Sequence, residues 1–402
     1  MPKGNQMSSK PRLLIAGGGY ADIPLITAAK EQGFYVITTG NRPEDHGHLA
    51  SDEFHVADFA DCEEMLALAK KLKIDAICSC CNDFSAISSA YVAEQLGLPG
   101  HDSFETTKLL HHKDSYRNFA TANDIPTPRA IGYNDSASAI NGIKKFSFPF
   151  MIKPIDLSGG KGISKVTNAG DAKRAILVAF SKSKSKRVVL EEFVEGTNHG
   201  FSALIKNGKV AFSFSDNEHY FLNKYMVSAA STPTLAPDAA ISSLVVYSEK
   251  IVSLLKLGDG IFHVQFVLRD SQPVIIEICR RSPGDLYINL VSLATSINYP
   301  SLIVEFAAGT SPTIPSVVKV DFIVRHCIMS AGNGVVEDVY LSKSMNGTII
   351  QRMEWWEPGD EVKDYLTHKL GIFLIKFNTL DEMQEFTNNS HEMICVKLND
   401  DG

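Results

Sequence analysis

The sequence predicts a mixed α/β and α+β protein that opens on a domain built around a doubly wound parallel sheet. Three observations carry that expectation. Apolar strand runs alternate with amphipathic stretches over the first hundred residues. After about Pro149 the texture changes to short β-rich runs joined by glycine turns. A shorter α+β segment follows Pro315.

In the first region, Leu13 to Ala16, Tyr35 to Thr38 and Ile74 to Ser79 read as strands. The stretches through Lys30, from Glu63 to Lys71 and from Ala86 to Leu96 read as helices. A single helix from about Ser103 to Asn123 is expected, ended by Ile125-Pro126-Thr127-Pro128. In the middle region Asn207-Gly208 separates the strand runs Phe201 to Ile205 and Val210 to Phe214, a strong hairpin signal. Helices are expected at Asp171 to Phe180 and Ile241 to Leu255, and a strand pair at Phe262 to Leu268 and Pro273 to Ile278. In the last region Leu380 to Thr387 reads as a helix between strands. The expected divisions are residues 1–110, 111–315 and 316–402.

The 402 residues, 44% of them hydrophobic, suffice for the cores of two or three domains. A formal net charge of −7 argues against a nonspecific polyanion binder, so no nucleic-acid partner is expected. No apolar run approaches the length of a bilayer span, and seven scattered cysteines do not form a disulfide framework. No membrane partner and a cytoplasmic location are the expectation.

Two glycine clusters invite a phosphate. Gly17-Gly18-Gly19 follows a strand and precedes a helix, but lacks the G-x-G-x-x-G spacing; a tight βα turn is at least as good a reading. In the second, Lys153 leaves the run Met151-Ile152-Lys153-Pro154, and Ser158-Gly159-Gly160-Lys161-Gly162 follows. An ammonium beside loop amides suits a polyphosphate, although the order is not that of a Walker A loop and, taken alone, an ordinary hairpin loop is an equal reading. His112-Lys113-Asp114 supplies another basic group. Glu191-Glu192-Phe193-Val194-Glu195-Gly196 ends a strand with acidic residues and an apolar edge fit for an adenine. Alternation places Glu277, Cys279 and Arg281 on one face of their strand, where a carboxylate and an arginine suit a magnesium-bound triphosphate. Cys78-x-Cys80-Cys81 reads as strand-buried cysteines, His263 as a structural histidine, and Trp355-Trp356 as core or interface.

The order of these five motifs resembles the ATP-grasp superfamily of ligases over almost the whole chain. The resemblance implies a pre-ATP-grasp domain, a two-part grasp from about residue 111 to 315, and a small C-terminal α+β domain. It also implies roles. Lys113 and Lys153 would contact the ATP phosphates, and Ser158, Gly159, Gly160, Lys161 and Gly162 would cover them. Glu191 would accept the adenine amino group, with Glu192, Phe193 and Val194 lining the base and Asn198 or His199 near the ribose. Lys224 would reach the terminal phosphate, and Arg281 would stabilise the phosphoryl group in transfer. Gln265, Glu277 and Cys279 stand at the metal-ligand positions. Cys279 replaces the usual Asn, and a thiol is a poor magnesium ligand, so Glu277 would carry more of the ion, or Asp285 or water would fill the gap.

The implied reaction is ATP-dependent carboxylate–amine ligation through an acylphosphate, releasing ADP and phosphate. The cofactors are ATP and Mg2+, with Mn2+ able to replace it, and the partners are small-molecule carboxylates and amines. A homodimer is compatible with the family. Asn82, Asp83, Glu218, His219, Arg280 and Gly284 are the candidate substrate contacts. Arg280 in particular suits an amino-acid or peptide carboxylate, which favours an amino acid as substrate. A carbamoyl-phosphate synthase-like or purine-pathway activity, and a non-catalytic ATP-binding module, are the alternatives.

Overall fold

The computed structural model describes residues 10–157, 160–316 and 319–399. The mixed α/β and α+β class expected from the sequence is the class observed.

The first region runs β1 (Arg12–Ala16), α1 (Ile23–Glu31), β2 (Tyr35–Gly40), β3 (Glu53–Val56), α2 (Cys62–Leu72), β4 (Ala76–Ser79) and α3 (Asp83–Leu96). Its strands form a parallel sheet in the order β3-β2-β1-β4. Alternate residues of β1 feed two cores, as a doubly wound sheet requires. Leu13 and Ile15 pack with Leu25 and Ile26 of α1, whereas Leu14 and Ala16 pack with Met65 and Ala69 of α2 and Val92 of α3. Asp61 and Asn82 cap α2 and α3 by accepting backbone N–H bonds.

The single helix expected after Ser103 is two: α4 (Phe104–His111) and α5 (Lys113–Ala122). His112 is extended (φ −95, ψ 116), serving as the end of one and the start of the other. This break turns His111 toward α3 and sets Lys113 at the head of α5.

Next come β5 (Ala130–Tyr133), α6 (Ser136–Gly142), β6 (Phe150–Pro154), β7 (Ser164–Val166), α7 (Ala169–Lys182) and β8 (Val188–Glu192). Their strands form a sheet ordered β5-β8-β6-β7, antiparallel throughout. Then follow β9 (Thr197–Lys206), β10 (Lys209–His219), β11 (Ala229–Thr232), α8 (Asp238–Leu255), β12 (Gly260–Arg269), β13 (Gln272–Cys279), α9 (Tyr287–Thr295) and α10 (Tyr299–Ala307). The hairpin at Asn207-Gly208 forms with both residues at positive φ.

The last region holds β14 (Ile323–Ile328), β15 (Gly334–Leu341), β16 (Thr348–Glu354), β17 (Glu361–Val362), β18 (Gly371–Lys376), α11 (Leu380–Met393) and β19 (Ile394–Asn399). It does not stand apart as a separate layer. β14, β18 and β16 continue the central sheet, whose order is β13-β12-β9-β10-β11-β14-β18-β16, while β17-β15-β19 form a small sheet beside it. One apolar core runs from β1 and α1 through α9 and α10 to Leu374 of β18, so the first and last regions are fused through the middle one.

Candidate active site

A cavity of about 650 Å3 is lined from the β5-β8-β6-β7 sheet, the face of the central sheet and the segments that meet its rim. That size suits a nucleotide or a drug-sized ligand. Of the residues singled out from sequence, it is lined by Asp83, Lys113, Lys153, Gly160, Glu191, Glu192, Phe193, Val194, Asn198, Glu218, Lys224, Gln265, Glu277, Cys279, Arg281 and Gly284. Ser158 and Gly159 lie outside the described residues.

One end is a knot of buried charge. Glu191 of β8 accepts from Lys153 of β6 at 2.5 Å and from the Arg117 guanidinium of α5 at 2.8 and 2.9 Å. Burial disfavours the Glu191 carboxylate, but Arg117 and Lys153 more than offset it and hold the carboxyl below its usual range. Burial pulls Lys153 down, and the nearby Arg117 and Lys113 add to that against the pull of Glu191. Lys113 in turn sits 3.5 Å from Glu277. Three cations sharing two carboxylates in a buried site would be relieved by an anionic ligand. Both Glu191 oxygens are therefore engaged as counter-ions, which revises its reading as the acceptor for an adenine amino group. Beside this knot Val194, Val267 and Ile276 make an apolar wall, and the Lys165 ammonium lies 3.4 Å from the Phe193 ring centroid.

Glu277 and Gln265 stand directly opposite each other on β13 and β12. A carboxylate and an amide oxygen so placed fit a hard cation. Cys279 does not. Burial pushes its thiol well above the usual range, and Sγ donates weakly toward Asp83 Oδ1 at 3.8 Å. A protonated thiol with a hydrogen-bond acceptor is no magnesium ligand, so that reading is withdrawn.

Asp83, His111 and Cys279 bring potential ligand atoms within 4.8 Å of one another, yet they form a joint already occupied by a cation. Arg281 donates to Asp83 Oδ1 through Nε at 2.8 Å and Nη2 at 2.7 Å. His111 Nε2 accepts the Arg280 backbone N–H at 3.3 Å, so Nδ1 carries the proton given to Asp83 at 2.9 Å. Burial opposes the Asp83 charge, but Arg281, His111 and Lys113 hold its carboxyl far below the ordinary value. Asp83 lines the cavity chiefly as the residue that holds Arg281.

The opposite end is assembled from all three regions. Asp216 and Glu218 of β10, Asp285 from the loop before α9, Arg325 of β14 and Lys369 line it. Asp285 accepts from Tyr20 O–H and Lys369 at 2.6 Å each, and lies 3.8 Å from Arg325. Burial raises its carboxyl, but Lys369 and Arg325 bring it down to about 2. Asp285 and Leu286 are both left-handed (φ 56 each), the kind of backbone strain that gathers at functional sites. Trp355 stacks on Tyr20 at 4.2 Å and donates to the Lys369 carbonyl at 2.7 Å.

Several expectations are corrected. Arg280 faces away from the cavity, bound to Asp102 at 2.7 Å and to the carbonyls of Gly258 and Ile261, because it alternates with Cys279 and Arg281. Asn82 is spent as the α3 cap. His219 bonds Ser231 at 2.9 Å and His199 bonds Thr197 at 2.7 Å, each off the cavity wall. Lys161 and Gly162 also lie outside it. The Gly17-Gly18-Gly19 turn is filled by protein: a Cβ at Gly17 would lie 2.2 Å from Cys80 Cβ, and one at Gly18 2.1 Å from the His48 ring. It is a packing turn that delivers Tyr20. Asp216, Arg325 and Lys369 escaped sequence reading. The signal for Asp216 was present: Phe212 and Phe214 precede it at alternating positions, so an acid continues an apolar strand face.

The fold and the layout of the site are those of the ATP-grasp class of ligases, and the cofactors of that class are ATP and Mg2+. Residues 111–224 match the family model of the phosphoribosylglycinamide synthetase ATP-grasp (A) domain. Among curated relatives, a formate-dependent phosphoribosylglycinamide formyltransferase of Saccharolobus solfataricus is 23% identical over 96% of this chain and 97% of its own. Among solved structures, an L-amino acid ligase from Bacillus licheniformis superposes with a TM-score of 0.80 at 18% identity, over 98% of this chain and 100% of that one. A phosphoribosylglycinamide synthetase from Anaerococcus prevotii gives 0.76 at 21% identity, over 97% and 100%. Among the described residues, no helix is long and apolar enough to cross a membrane.

Proposed function

We propose that this protein is an ADP-forming carboxylate–amine ligase that takes an amino acid as a substrate. The observation that carries the reading is one continuous cavity with two differently charged ends. At one end Lys113, Lys153 and Arg281 offer cations for a polyphosphate tail. At the other, acidic Asp216 and Glu218 stand near cationic Arg325 and Lys369, a pattern suited to a zwitterion.

The physical demand of the reaction is to bring a carboxylate to a triphosphate. Lys113 and Lys153 would offset the phosphate charge, and Arg281, fixed by Asp83, would face the phosphoryl group in transfer. Mg2+ held by Glu277 and Gln265 would add charge compensation there. No side-chain nucleophile is required: the substrate carboxylate takes the phosphoryl group, and an amine then displaces phosphate.

The test is ADP release with ATP, magnesium and pools of amino acids, with hydroxylamine as a substitute acceptor. Amine-dependent ADP release supports ligation. Tight ATP binding without ADP from any acid, even with hydroxylamine, overturns it in favour of a binding module. A second reading, a purine-pathway activity on a ribonucleotide amine, draws on the formyltransferase relative that spans nearly the whole chain and on the matched synthetase domain. Turnover with such an amine and none with amino acids would select it.

A further inference from the structure

Asp216 is wholly buried, lines the cavity and is only half satisfied. Its Oδ1 accepts the Tyr287 O–H at 2.6 Å, and its Oδ2 has no partner among the described residues. An unpaired carboxylate oxygen in such a place is unfavourable unless something else fills the position. Two residues on, Glu218 accepts from Gln265 at 2.8 Å and from Tyr220 at 2.7 Å. Among the described residues no Lys, Arg or His comes within ion-pair distance of either acid. Two adjacent carboxylates thus face the cavity without a counter-ion.

The sheet is shaped to keep them there. Gly200 of β9 lies directly opposite Asp216, and a Cβ at that position would stand 2.4 Å from Asp216 Oδ1. Only glycine leaves the carboxylate its seat. Across the other side, Glu218 pairs with Ala230, and Ala230 with Arg325. Two strand spacings set Glu218 and Arg325 about 10 Å apart at Cα, with a small residue between. Arg325 is itself buried and keeps an unpartnered Nε. One molecule carrying an ammonium and a carboxylate would answer both orphans.

Resting on the ligase reading above, we propose that Asp216 and Glu218 form the ammonium seat of the acceptor amino acid, and that Asp216 Oδ2 takes the proton that frees its nitrogen. The ammonium gives one proton to Oδ2 and becomes a neutral amine. Its lone pair forms the C–N bond at the acyl carbon, and the C–O bond to phosphate breaks with its electron pair on the leaving oxygen. The second nitrogen-bound proton departs with the phosphate, so atoms and charge balance. Burial and then Glu218 push the Asp216 carboxyl up to about 7, against Tyr287 and Arg325, which suits a proton acceptor near neutrality. A magnesium seat fits less well, because three donors, from Gln265, Tyr220 and Tyr287, already point at these oxygens.

The experiment uses the full chain and compares two acceptors, the productive amino acid and hydroxylamine, which is uncharged at neutral pH and needs no ammonium seat. Asp216→Asn should lose about 100-fold or more in kcat/KM for the amino-acid acceptor, and the loss in hydroxylamine-dependent ADP release should be at least about tenfold smaller than that. Glu218→Gln should raise the acceptor KM more than it lowers kcat. As a check free of variants, an acceptor analogue with hydroxyl in place of the amine should bind the wild-type enzyme about tenfold more weakly or worse. Equal binding of the two, or an Asp216→Asn enzyme that keeps both activities or loses both alike, overturns the seat while the wild-type turnover upholds the ligase. Absence of wild-type turnover with any acid and hydroxylamine overturns the ligase reading and this assignment with it.

Discussion

At the end of the cavity proposed for the nucleotide, Lys113, Lys153, Glu191, Glu277, Asp83 and Arg281 all stand in ion pairs, with Glu191 buried between two cations. At the other end, among the described residues, Asp216 and Glu218 have no counter-ion and Arg325 keeps an unpartnered Nε. A set of charges that neutralises itself can hold a rigid geometry whether or not a ligand is present. A set left unbalanced gives up stability and keeps its binding energy for what arrives. The first arrangement suits a ligand of constant shape, the second a substrate that must be chosen.

The sharpest way to break this contrast is to remove the paired end. Lys153→Ala and Glu277→Ala should each lower ADP release about 10^3-fold with the fold intact by thermal melt, and a fully active Glu277→Ala enzyme would remove the metal assignment. Arg117→Leu comes next. It leaves Glu191 buried with Lys153 alone, so unfolding in urea should show a loss of about 3 kcal/mol. A change under about 0.5 kcal/mol would mean the knot is not pre-organised by pairing.

The unbalanced end should reveal itself through pH. The Asp216 carboxyl titrates near 7 in the folded chain against an ordinary 3.8, so the folded state binds its proton more tightly. Its contribution to stability is full below about pH 4 and is lost as pH rises toward 7. Other groups titrate in that range, so the informative quantity is a difference. The melting temperature of Asp216→Asn relative to wild type should climb between pH 4 and pH 7. A difference that stays flat would mean that Asp216 is not held away from charge.

The same contrast explains what the sequence disclosed. Lys153, Glu191 and Arg281 were legible because each sits at a fixed place in a local pattern: a strand ahead of a glycine loop, a strand end, an alternating strand face; Lys113 was legible only as a basic group in His112-Lys113-Asp114, not as a helix start. Three of the four strands of the parallel sheet were legible from their apolar runs, whereas the fourth, Glu53–Val56, with only two apolar residues, passed unnoticed. The end proposed for the substrate is a product of tertiary assembly. Tyr20, Asp285 and Lys369 share hydrogen bonds across 265 and 84 residues of chain, and no local pattern ties them together. Arg280 misled because its chemistry was right and its strand parity was wrong. The helix break at His112 was hidden for another reason: no proline or glycine marks it, and only the tertiary partners of His111 and Lys113 select it.

Cys279 offers the smallest effect and the finest test of the paired end. Its thiol stays protonated and lies at the limit of contact with Asp83, whose charge is already met by Arg281 and His111. Removing so weak a donor costs little. An asparagine at the same place would present an amide N–H to Asp83 and a hard amide oxygen on the face that carries Glu277, a better complement to magnesium than sulfur. Cys279→Asn should therefore leave ADP release within about threefold of wild type or raise it, with a lower magnesium requirement in the same assay. A severe loss would show that the Asp83–Arg281 joint depends on the thiol, and that the charges at this end do not hold their geometry by pairing alone.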